Sequence, residues 1–308
     1  MAEIVVAIPS FRRPMSLKRL LVALEKLETD ANISVLVADN DAERHEAFDL
    51  CTALRGDYRW PLESILVSAR GIANVRNALV ARALEDADCR FVAMLDDDET
   101  PEPRWLDELL RVQRETGADA LNGTVKRVFE RDPGPWAKHC DGVSDMFAPT
   151  GPVAMLETTA NLLVRREAFA LVAPPWFDPG FALGGGEDLD FFLRLKKKGA
   201  RFAWANGAAV RDHVPPSRAN LKWALSRAYS AGNSDMRVLL KHDPAPLARA
   251  QAYARIAAAL LLNPVLFAIL AASPNRRVRP LRKIYRALGK IAAIGGRYHQ
   301  EYSVTHGR

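Results

Sequence analysis

The pattern of apolar and polar residues over the first 100 positions switches between two periods. Short, nearly continuous apolar runs predict buried strands: EIVVAIPS, NISVLVADN, ESILVS and FVAML. Between them, apolar residues recur at helical spacing: Leu17, Leu20, Leu21, Leu24 and Leu27, then Ile72, Val75, Leu79 and Ala83. Strands that alternate with amphipathic helices indicate βαβ units. The pattern therefore predicts an α/β fold with a mostly parallel central sheet flanked by helices.

The pattern becomes less regular after about residue 130. Up to about residue 185, the many turn residues of RDPGPWAKHCDGVSDMFAPTGP predict a long loop or lid, and ETTANLLVRREAF reads as a strand that leads into a helix. A Gly triplet, a helix and a strand are expected next, and PPSR after Val214 breaks the chain before a mostly helical remainder. We expect one α/β domain over 1–235 and a helical, basic and apolar C-terminal region over 236–308.

The net charge of the chain is compatible with several classes of binding partner. The net charge is +6 and the pI about 9.3, which suits a nucleotide, a nucleic acid or an anionic membrane surface. Three scattered cysteines do not form a disulfide framework and favour a reducing cytoplasm. The N-terminal segment has its apolar run before its charges, the reverse of a secretory signal.

An acidic cluster follows the predicted strand FVAML. In α/β sheets the ligand site lies beyond the carboxyl ends of the strands, and Asp96 and Asp98 are placed there. Their carboxylates could hold a hard divalent cation, Mg²⁺ or Mn²⁺, together with phosphates. The alternative is a solvated turn in which Asp98, Glu99 and Thr100 begin a helix near Pro101 or Pro103.

A second acidic pair, Glu187 and Asp188, follows the Gly triplet and begins an amphipathic helix. A carboxylate at a helix N-terminus is stabilised in its ionised form, and facing a cleft it could take a proton from a substrate hydroxyl. Alternatively, Glu187 and Asp188 are only the acidic first residues of a helix that follows a turn.

Further candidates lie at predicted strand ends and in the loop after Val214. His213 could bind a metal ion or be structural, and Arg218 could meet phosphate oxygens or be a solvated charge. Phe11 offers a ring for stacking, with cations nearby in PSFRRP and at Arg70. Neither GxGxxG nor GxxxxGK[ST] occurs, so binding of a nucleotide diphosphate would depend on carboxylates, a metal ion and arginines.

The order of these motifs resembles family 2 glycosyltransferases of the GT-A fold. The shared stretches are VVAIPSFRRPMSLKRLLVAL, VADND, ARGIANVRNALVARA, FVAMLDDDETP and GGGEDLDFFLRLKKKG. VPPSRANLKWALSRAYSAGNS is similar to the succinoglycan-type branch that builds exopolysaccharides, and the resemblance covers about residues 3–235. It implies an inverting, metal-dependent transfer of one sugar from a nucleotide-sugar, usually a UDP-sugar.

The resemblance also implies roles for particular residues. Asp188 matches the general base, Asp98 a metal ligand, and His213 a further metal ligand for which Asp212 is the alternative. The residues expected to bind the nucleotide-sugar are Pro9, Phe11, Arg13, Asp39, Arg70, Asp96 and Asp97. In place of the Gln-x-x-Arg-Trp motif of polymerising members, the chain has Ala219–Asn220–Leu221–Lys222–Trp223, so we expect non-processive transfer.

The most apolar stretch of the chain lies near its C-terminus, at 256–272. Its 17 residues are at the short end for crossing a bilayer, Asn263–Pro264 interrupts it, and arginines flank both sides. We expect a re-entrant or interfacial helical hairpin on an anionic membrane, at the cytoplasmic face of the inner membrane, beside a saccharide acceptor that is lipid-linked. A soluble helical pair packed on the domain or on a second copy is the alternative.

Two other functions compete with glycosyl transfer. A nucleotidyltransferase on a similar sheet would have a Gly-rich, basic N-terminal loop, which IPSFRRP is not. A nucleotide-sugar-binding scaffold without turnover would not require the intact acidic residues at both predicted sites. A nucleic-acid partner is not expected, because the basic tail adjoins an apolar stretch.

Overall fold

A nine-stranded sheet forms the centre of the computed structural model, which describes residues 2–140, 143–242 and 245–300. The strands are β1 (Ile4–Ser10), β2 (Ile33–Asp39), β3 (Leu62–Leu66), β4 (Phe91–Met94), β5 (Glu99–Pro101), β6 (Ala120–Phe129), β7 (Gly151–Val153), β8 (Leu162–Arg165) and β9 (Phe202–Val214). The helices are α1 (Pro14–Glu25), α2 (Glu46–Leu54), α3 (Ile72–Glu85), α4 (Trp105–Thr116), α5 (Arg166–Ala170), α6 (Glu187–Lys197), α7 (Leu221–Lys241), α8 (Pro246–Ile269) and α9 (Val278–Ile294). Short 3₁₀ turns cover Pro135–His139, Pro179–Phe181 and Leu270–Ala272.

The sheet is parallel in its first half and mixed in its second. Its order is β3-β2-β1-β4-β8-β6-β9-β5, and β7 also pairs with β9. The first four strands are parallel, as the alternation of apolar runs and helices predicts. β8 is antiparallel to β4 and β6, while β9 is parallel to β6. β1, β2, β4, β6 and β9 therefore all run the same way, and their carboxyl ends lie at one edge.

Two apolar layers enclose this sheet. Alternate side chains of β1 point to opposite faces, so Ile4, Val6 and Ile8 pack with α1, α2 and α4, while Val5 and Ala7 pack with α3 and α6. The five leucines that predict the first helix are all buried. The packing fixes each helix relative to the carboxyl edge of the sheet.

The chain after the acidic cluster differs from the expected helix start. Glu99–Pro101 forms β5, antiparallel to β9, with Glu99 opposite Asp212, and the next helix begins only at Trp105. Glu99 is buried, and its carboxylate accepts the amide of Asp96 at 2.9 Å. The interpretation of Glu99 as helix-start charge is therefore wrong, because strand pairing with β9 outweighs the local helix signal.

The C-terminal region is helical, as expected, but the chain reverses at a different place. α8 continues through Asn263 and Pro264, and Asn263 Nδ2 donates to the Ala259 carbonyl at 2.7 Å. The reversal lies at 273–277, between α8 and α9, rather than inside the apolar stretch. The predicted boundary at residue 235 falls within α7, which packs closely against α9.

Candidate active site

Polar residues from three strands meet at the carboxyl edge of the sheet. Ser10, at the end of β1, donates its hydroxyl to Asp97 Oδ2 at 3.0 Å. The backbone amide of His213, near the end of β9, donates to the Asp98 carbonyl at 3.0 Å. The acidic cluster after β4 is therefore joined to its neighbours on both sides, as expected for the mouth of an α/β site.

Two arginines hold the carboxylates of Asp97 and Asp98. Arg13 Nη1, just before α1, donates to Asp97 Oδ1 at 3.0 Å and to Asp98 Oδ2 at 2.8 Å. Arg218 Nη1, in the loop before α7, donates to the same Asp98 oxygen at 2.9 Å. These guanidinium groups supply the positive charge that a buried acidic cluster needs.

The two carboxyl groups differ in acidity as a result. Burial would raise the pKa of Asp98, but Arg218 and Arg13 outweigh it, and the pKa lies below the ordinary value. For Asp97, burial is the larger effect and raises the pKa to about 6, although Arg13 opposes it. Asp98 is thus ionised at neutral pH and chemically suited to bind a cation.

Arg76 connects this cluster to the second acidic pair. Its guanidinium, buried on α3, forms an ion pair with Glu187 and approaches Asp96 Oδ1 at 3.5 Å. The Asp96 side chain keeps 39% of its surface exposed. Arg76 was missed by the sequence reasoning, although its position four residues after Ile72 places an arginine on the apolar face of the helix.

Glu187 and Asp188 begin α6 and have different surroundings. Glu187 is buried, and this burial, reinforced by the charge of Asp188 and opposed by Arg76, raises its pKa to about 7. Asp188 is half-buried, and its Oδ1 accepts the amide of Leu189 at 2.8 Å. Burial also raises the pKa of Asp188, against the opposing effect of Arg76. A carboxylate with a raised pKa at a helix start is suited to accept a proton.

The predicted nucleotide-binding residues lie around the end of β1. The guanidinium of Arg70 lies 3.5 Å from the centroid of the Phe11 ring, and that of Arg12 lies 4.8 Å from it. Pro9 is half-buried in the same strand. The structure thus brings Phe11 and Arg70 together in a stacked pair, a surface that can also receive a planar base.

Asp39 and Asn40 shape the neighbouring loops. The carboxylate of Asp39 is buried and accepts backbone amides of Asp41 and Ala47, both at 2.9 Å, so it holds the start of α2. Asn40, which the sequence reasoning missed, bonds the Val67 carbonyl and the Gly71 amide and thereby positions the loop that carries Arg70. A nucleotide contact by Asp39 stays a prediction.

His213 and Asp212 point to opposite sides of β9, as successive strand residues do. His213 lines a cavity of about 660 Å³ together with Asp98, Arg13 and Pro215. Asp212 is buried in an ion pair with Arg127. The alternation therefore favours His213 over Asp212 as the residue that shares a cavity with Asp98.

Asp98 and His213, the two residues predicted to bind a metal ion, both line this cavity. Burial, and secondarily Arg19, lowers the pKa of His213, which favours the neutral imidazole, and its Nε2 lies 3.0 Å from the Thr100 hydroxyl. Within residues 2–140, 143–242 and 245–300, no group of three or more His, Cys, Asp or Glu side chains is arranged to hold a metal ion. Metal binding by Asp98 and His213 therefore stays a prediction, in which substrate phosphates would complete the ligands.

Comparison of the chain with known families agrees with this geometry. Residues 5–171 match the model for glycosyl transferase family 2, and residues 91–288 match glycosyl transferase family group 2. The chain belongs to glycosyltransferase family 2. This glycosyltransferase is 32% identical over 237 residues to the succinoglycan biosynthesis protein ExoM of Rhizobium meliloti (strain 1021), a match that covers 76% of this chain and 74% of ExoM. The similarity places it in the exopolysaccharide branch, as predicted.

Solved structures share its fold at low sequence identity. The mannosyltransferase PcManGT from Pyrobaculum calidifontis, in complex with GDP-Man and Mn²⁺, has a TM-score of 0.62 and 15% identity, over 95% of this chain and 87% of PcManGT. S. aureus TarS 1–349 has a TM-score of 0.55 and 15% identity, over 96% and 93% of the two chains. The same TarS fragment in complex with UDP-GlcNAc has a TM-score of 0.52. These likenesses confirm the GT-A fold.

The raised pKa of Glu187 predicts a pH-dependent stability. Its pKa of about 7, against an ordinary value of 4.5, means that the folded protein binds this proton more tightly than the unfolded chain. The stabilisation is complete below the ordinary value and is lost as the pH rises through about 7. A shift of one pKa unit corresponds to about 1.4 kcal/mol. Between about pH 5 and about pH 8, the free energy of unfolding of the native protein should therefore fall by about 1–3 kcal/mol more than that of Glu187→Gln.

Urea unfolding at several pH values checks this expectation. The contribution of Asp97 is present in both proteins and cancels in the comparison. Glu115→Gln, at a carboxylate whose side chain is 56% exposed, is the matched control and should follow the native protein. Parallel pH profiles for Glu187→Gln and the native protein would contradict the assignment.

Proposed function

We propose that this glycosyltransferase moves one sugar from a nucleotide-sugar, by our inference a UDP-sugar, to a hydroxyl of a saccharide acceptor during exopolysaccharide synthesis. The observation that carries the proposal is the link from Asp96 through Arg76 to Glu187. The link supports Asp188 as the base, because Asp188 directly follows Glu187 and Arg76 connects Glu187 to the cluster that would bind the donor. The complexes of PcManGT with GDP-Man and of TarS with UDP-GlcNAc support a nucleotide-sugar as the donor class.

The donor would lie along the carboxyl edge of the sheet. Phe11 and Arg70 would contact the base, with Pro9 and Asp39 nearby, and Asp96 would contact the ribose. Arg13 and Arg218 donate hydrogen bonds to Asp98 at 2.8 and 2.9 Å. When the donor binds, they would direct some of their N–H groups to the diphosphate oxygens instead. Asp97 would keep Arg13 in position through its 3.0 Å contact.

Asp98 and His213 would hold Mn²⁺ or Mg²⁺ together with the diphosphate. The cation, when bound, would supply Lewis-acid stabilisation of the charge that develops on the leaving diphosphate. The PcManGT complex with Mn²⁺ supports this choice of metal. Arg13 and Arg218, which both pair with Asp98 Oδ2, would add positive charge that is fixed before the reaction begins.

Asp188 would act as the general base. It accepts the proton of the acceptor hydroxyl while that oxygen bonds to the anomeric carbon, and the bond to the diphosphate oxygen breaks on the opposite side. One displacement of this kind inverts the anomeric centre. Because the segment at 219–223 lacks the Gln and Arg of the polymerising motif, the transfer is proposed to be non-processive.

Replacing Asp188 tests this role directly. Asp188→Asn removes the proton acceptor and keeps the shape, so kcat for sugar transfer should fall by about 100-fold or more, with the donor KM little changed. The measurement is release of the nucleoside diphosphate from a panel of nucleotide-sugars, with product configuration read by NMR. Asp49→Asn, at an exposed carboxylate of α2, is the control and should retain native activity. Native turnover in Asp188→Asn, or a retained anomeric configuration, would refute the mechanism.

The C-terminal region is proposed to attach the enzyme to the cytoplasmic face of the inner membrane. The segment Pro246–Ala272 is long and apolar enough to cross a bilayer, with a mean hydropathy of 2.0, and only 11% of its most apolar window is buried. Such a single helix is weak support by itself. The charge pattern adds to it, since exposed basic residues lie in the turn after α8 and on α9: Arg276, Arg279 and Lys283. Anionic lipid complements this combination of apolar surface and positive charge, and it would bring the site to a lipid-linked acceptor.

Vesicle sedimentation tests the attachment. The double variant Leu262→Asp with Leu266→Asp places two charges on the exposed surface of α8 and should lose most binding to vesicles that contain phosphatidylglycerol. Leu171→Asp, at an exposed leucine outside α8, is the matched control and should bind like the native protein. Equal binding by all three proteins would refute attachment through α8. Unchanged vesicle binding, together with loss of a dimer in light scattering, would assign the surface to a second copy of the chain.

A further inference from the structure

The loop that leads into Asp188 is held by an arginine from α7. Arg237 Nη2 donates to the Gly180 carbonyl at 2.7 Å. The same guanidinium lies 4.6 Å from the centroid of the Phe181 ring, a distance at which a cation and an aromatic face attract each other. One side chain therefore fixes both the backbone and the aromatic anchor of the segment 180–186.

The Gly triplet itself lies against α7 at close range. Ser234 Oγ donates to the Gly184 carbonyl at 3.1 Å. A Cβ atom at Gly184 would lie 2.6 Å from Arg237 Nη1, and one at Gly186 would lie 3.0 Å from the Ser234 Cβ. Gly186 also has a φ of +101°, which favours glycine. The triplet therefore permits a contact that fixes the approach of the chain to α6.

The C-terminal segment 297–299 packs against the contact between α7 and the loop 180–186. Asn233, buried on α7, donates from Nδ2 to the Arg297 carbonyl at 2.8 Å and accepts the His299 amide at 3.2 Å. The Arg237 guanidinium lies 4.1 Å from the centroid of the Tyr298 ring. The segment thus packs on the side chain that holds the loop.

α6 has anchors of its own in addition to this loop. Asp190, fully buried, accepts hydrogen bonds from Lys241 Nζ at 2.6 Å and from Arg194 Nε at 2.9 Å. Phe191 and Phe192 are buried in the core beneath the sheet. Lys241 also contacts the chain before α6, at Asp178 Oδ2 (2.8 Å) and 5.4 Å from the centroid of the Phe181 ring. Loss of the Arg237 contacts would therefore loosen the loop before Asp188, while the contacts of Glu187 and Asp190 keep α6 in place.

We propose that Arg237, supported by Tyr298, is a positioning residue that sets where Asp188 meets the acceptor hydroxyl. The inference rests on the proposed role of Asp188 as the base. Arg237 acts through the loop 180–186 and does not touch the reacting atoms. It gives the C-terminal region a part in catalysis that is separate from membrane attachment.

Kinetics of substituted enzymes test the proposal. Misplacing a catalytic group by about 1 Å can cost about 100-fold in rate, so Arg237→Ala should lower kcat by about 10- to 100-fold, with the donor KM within about 2-fold of native. Tyr298→Ala should give a smaller loss, and Arg237→Lys, which keeps a donor and a cation, should recover part of kcat. Arg286→Ala is the matched control, because Arg286 pairs with Asp235 of α7 at 2.7 Å and should leave kcat unchanged.

Hydrogen exchange supplies a readout that does not depend on turnover. Peptides that cover 180–190 should exchange faster in Arg237→Ala than in the native protein or in Arg286→Ala, with the melting temperature nearly unchanged. A native kcat in Arg237→Ala, while Asp188→Asn is inactive, would overturn the positioning role and leave the base intact. Parallel losses of kcat, donor affinity and melting temperature would show a merely structural role and also overturn it. Native activity in Asp188→Asn would instead remove the proposed base, and this inference with it.

Discussion

The carboxylates that follow β4 depend on arginines that reach them from distant parts of the chain. Burial alone would raise the pKa of Asp98, and the guanidinium groups of Arg13 and Arg218 reverse that effect. Removing the charged partner of a buried carboxylate is strongly destabilising, so these arginines constrain the elements that carry them. The start of α1 and the loop before α7 are both held at the carboxyl edge of the sheet in this way.

Arg76 offsets the negative charge of acidic residues in the same way on the other side of the site, at the start of α6. From α3 it contacts both Asp96 and Glu187, and therefore couples the acidic cluster after β4 to the start of α6. The position of Asp188 follows from this ion pair together with the contacts of α7 to the preceding loop. Electrostatic and backbone contacts thus locate Asp188 from two directions.

The sequence predicts the parts of this arrangement that depend on local periodicity. Buried leucines mark α1, and apolar runs mark β1, β2 and β4, so the strand-end location of Asp96 and Asp98 follows from the α/β pattern. β5 was not predicted, because its pairing partner lies about a hundred residues away in β9. Arg76 and Asn40 have ordinary sequence surroundings, and their roles depend on contacts between elements that the fold brings together.

Asp98 is expected to exchange part of its arginine contact for a divalent cation when a nucleoside diphosphate binds. Calorimetric titration of UDP, with Mn²⁺ and after its removal by EDTA, tests this most directly in the native protein and in Asp98→Asn. Mn²⁺ should strengthen UDP binding by about 10-fold or more in the native protein and have little effect in Asp98→Asn. Equal UDP affinity with and without Mn²⁺ in the native protein, or an undiminished Mn²⁺ effect in Asp98→Asn, would contradict it.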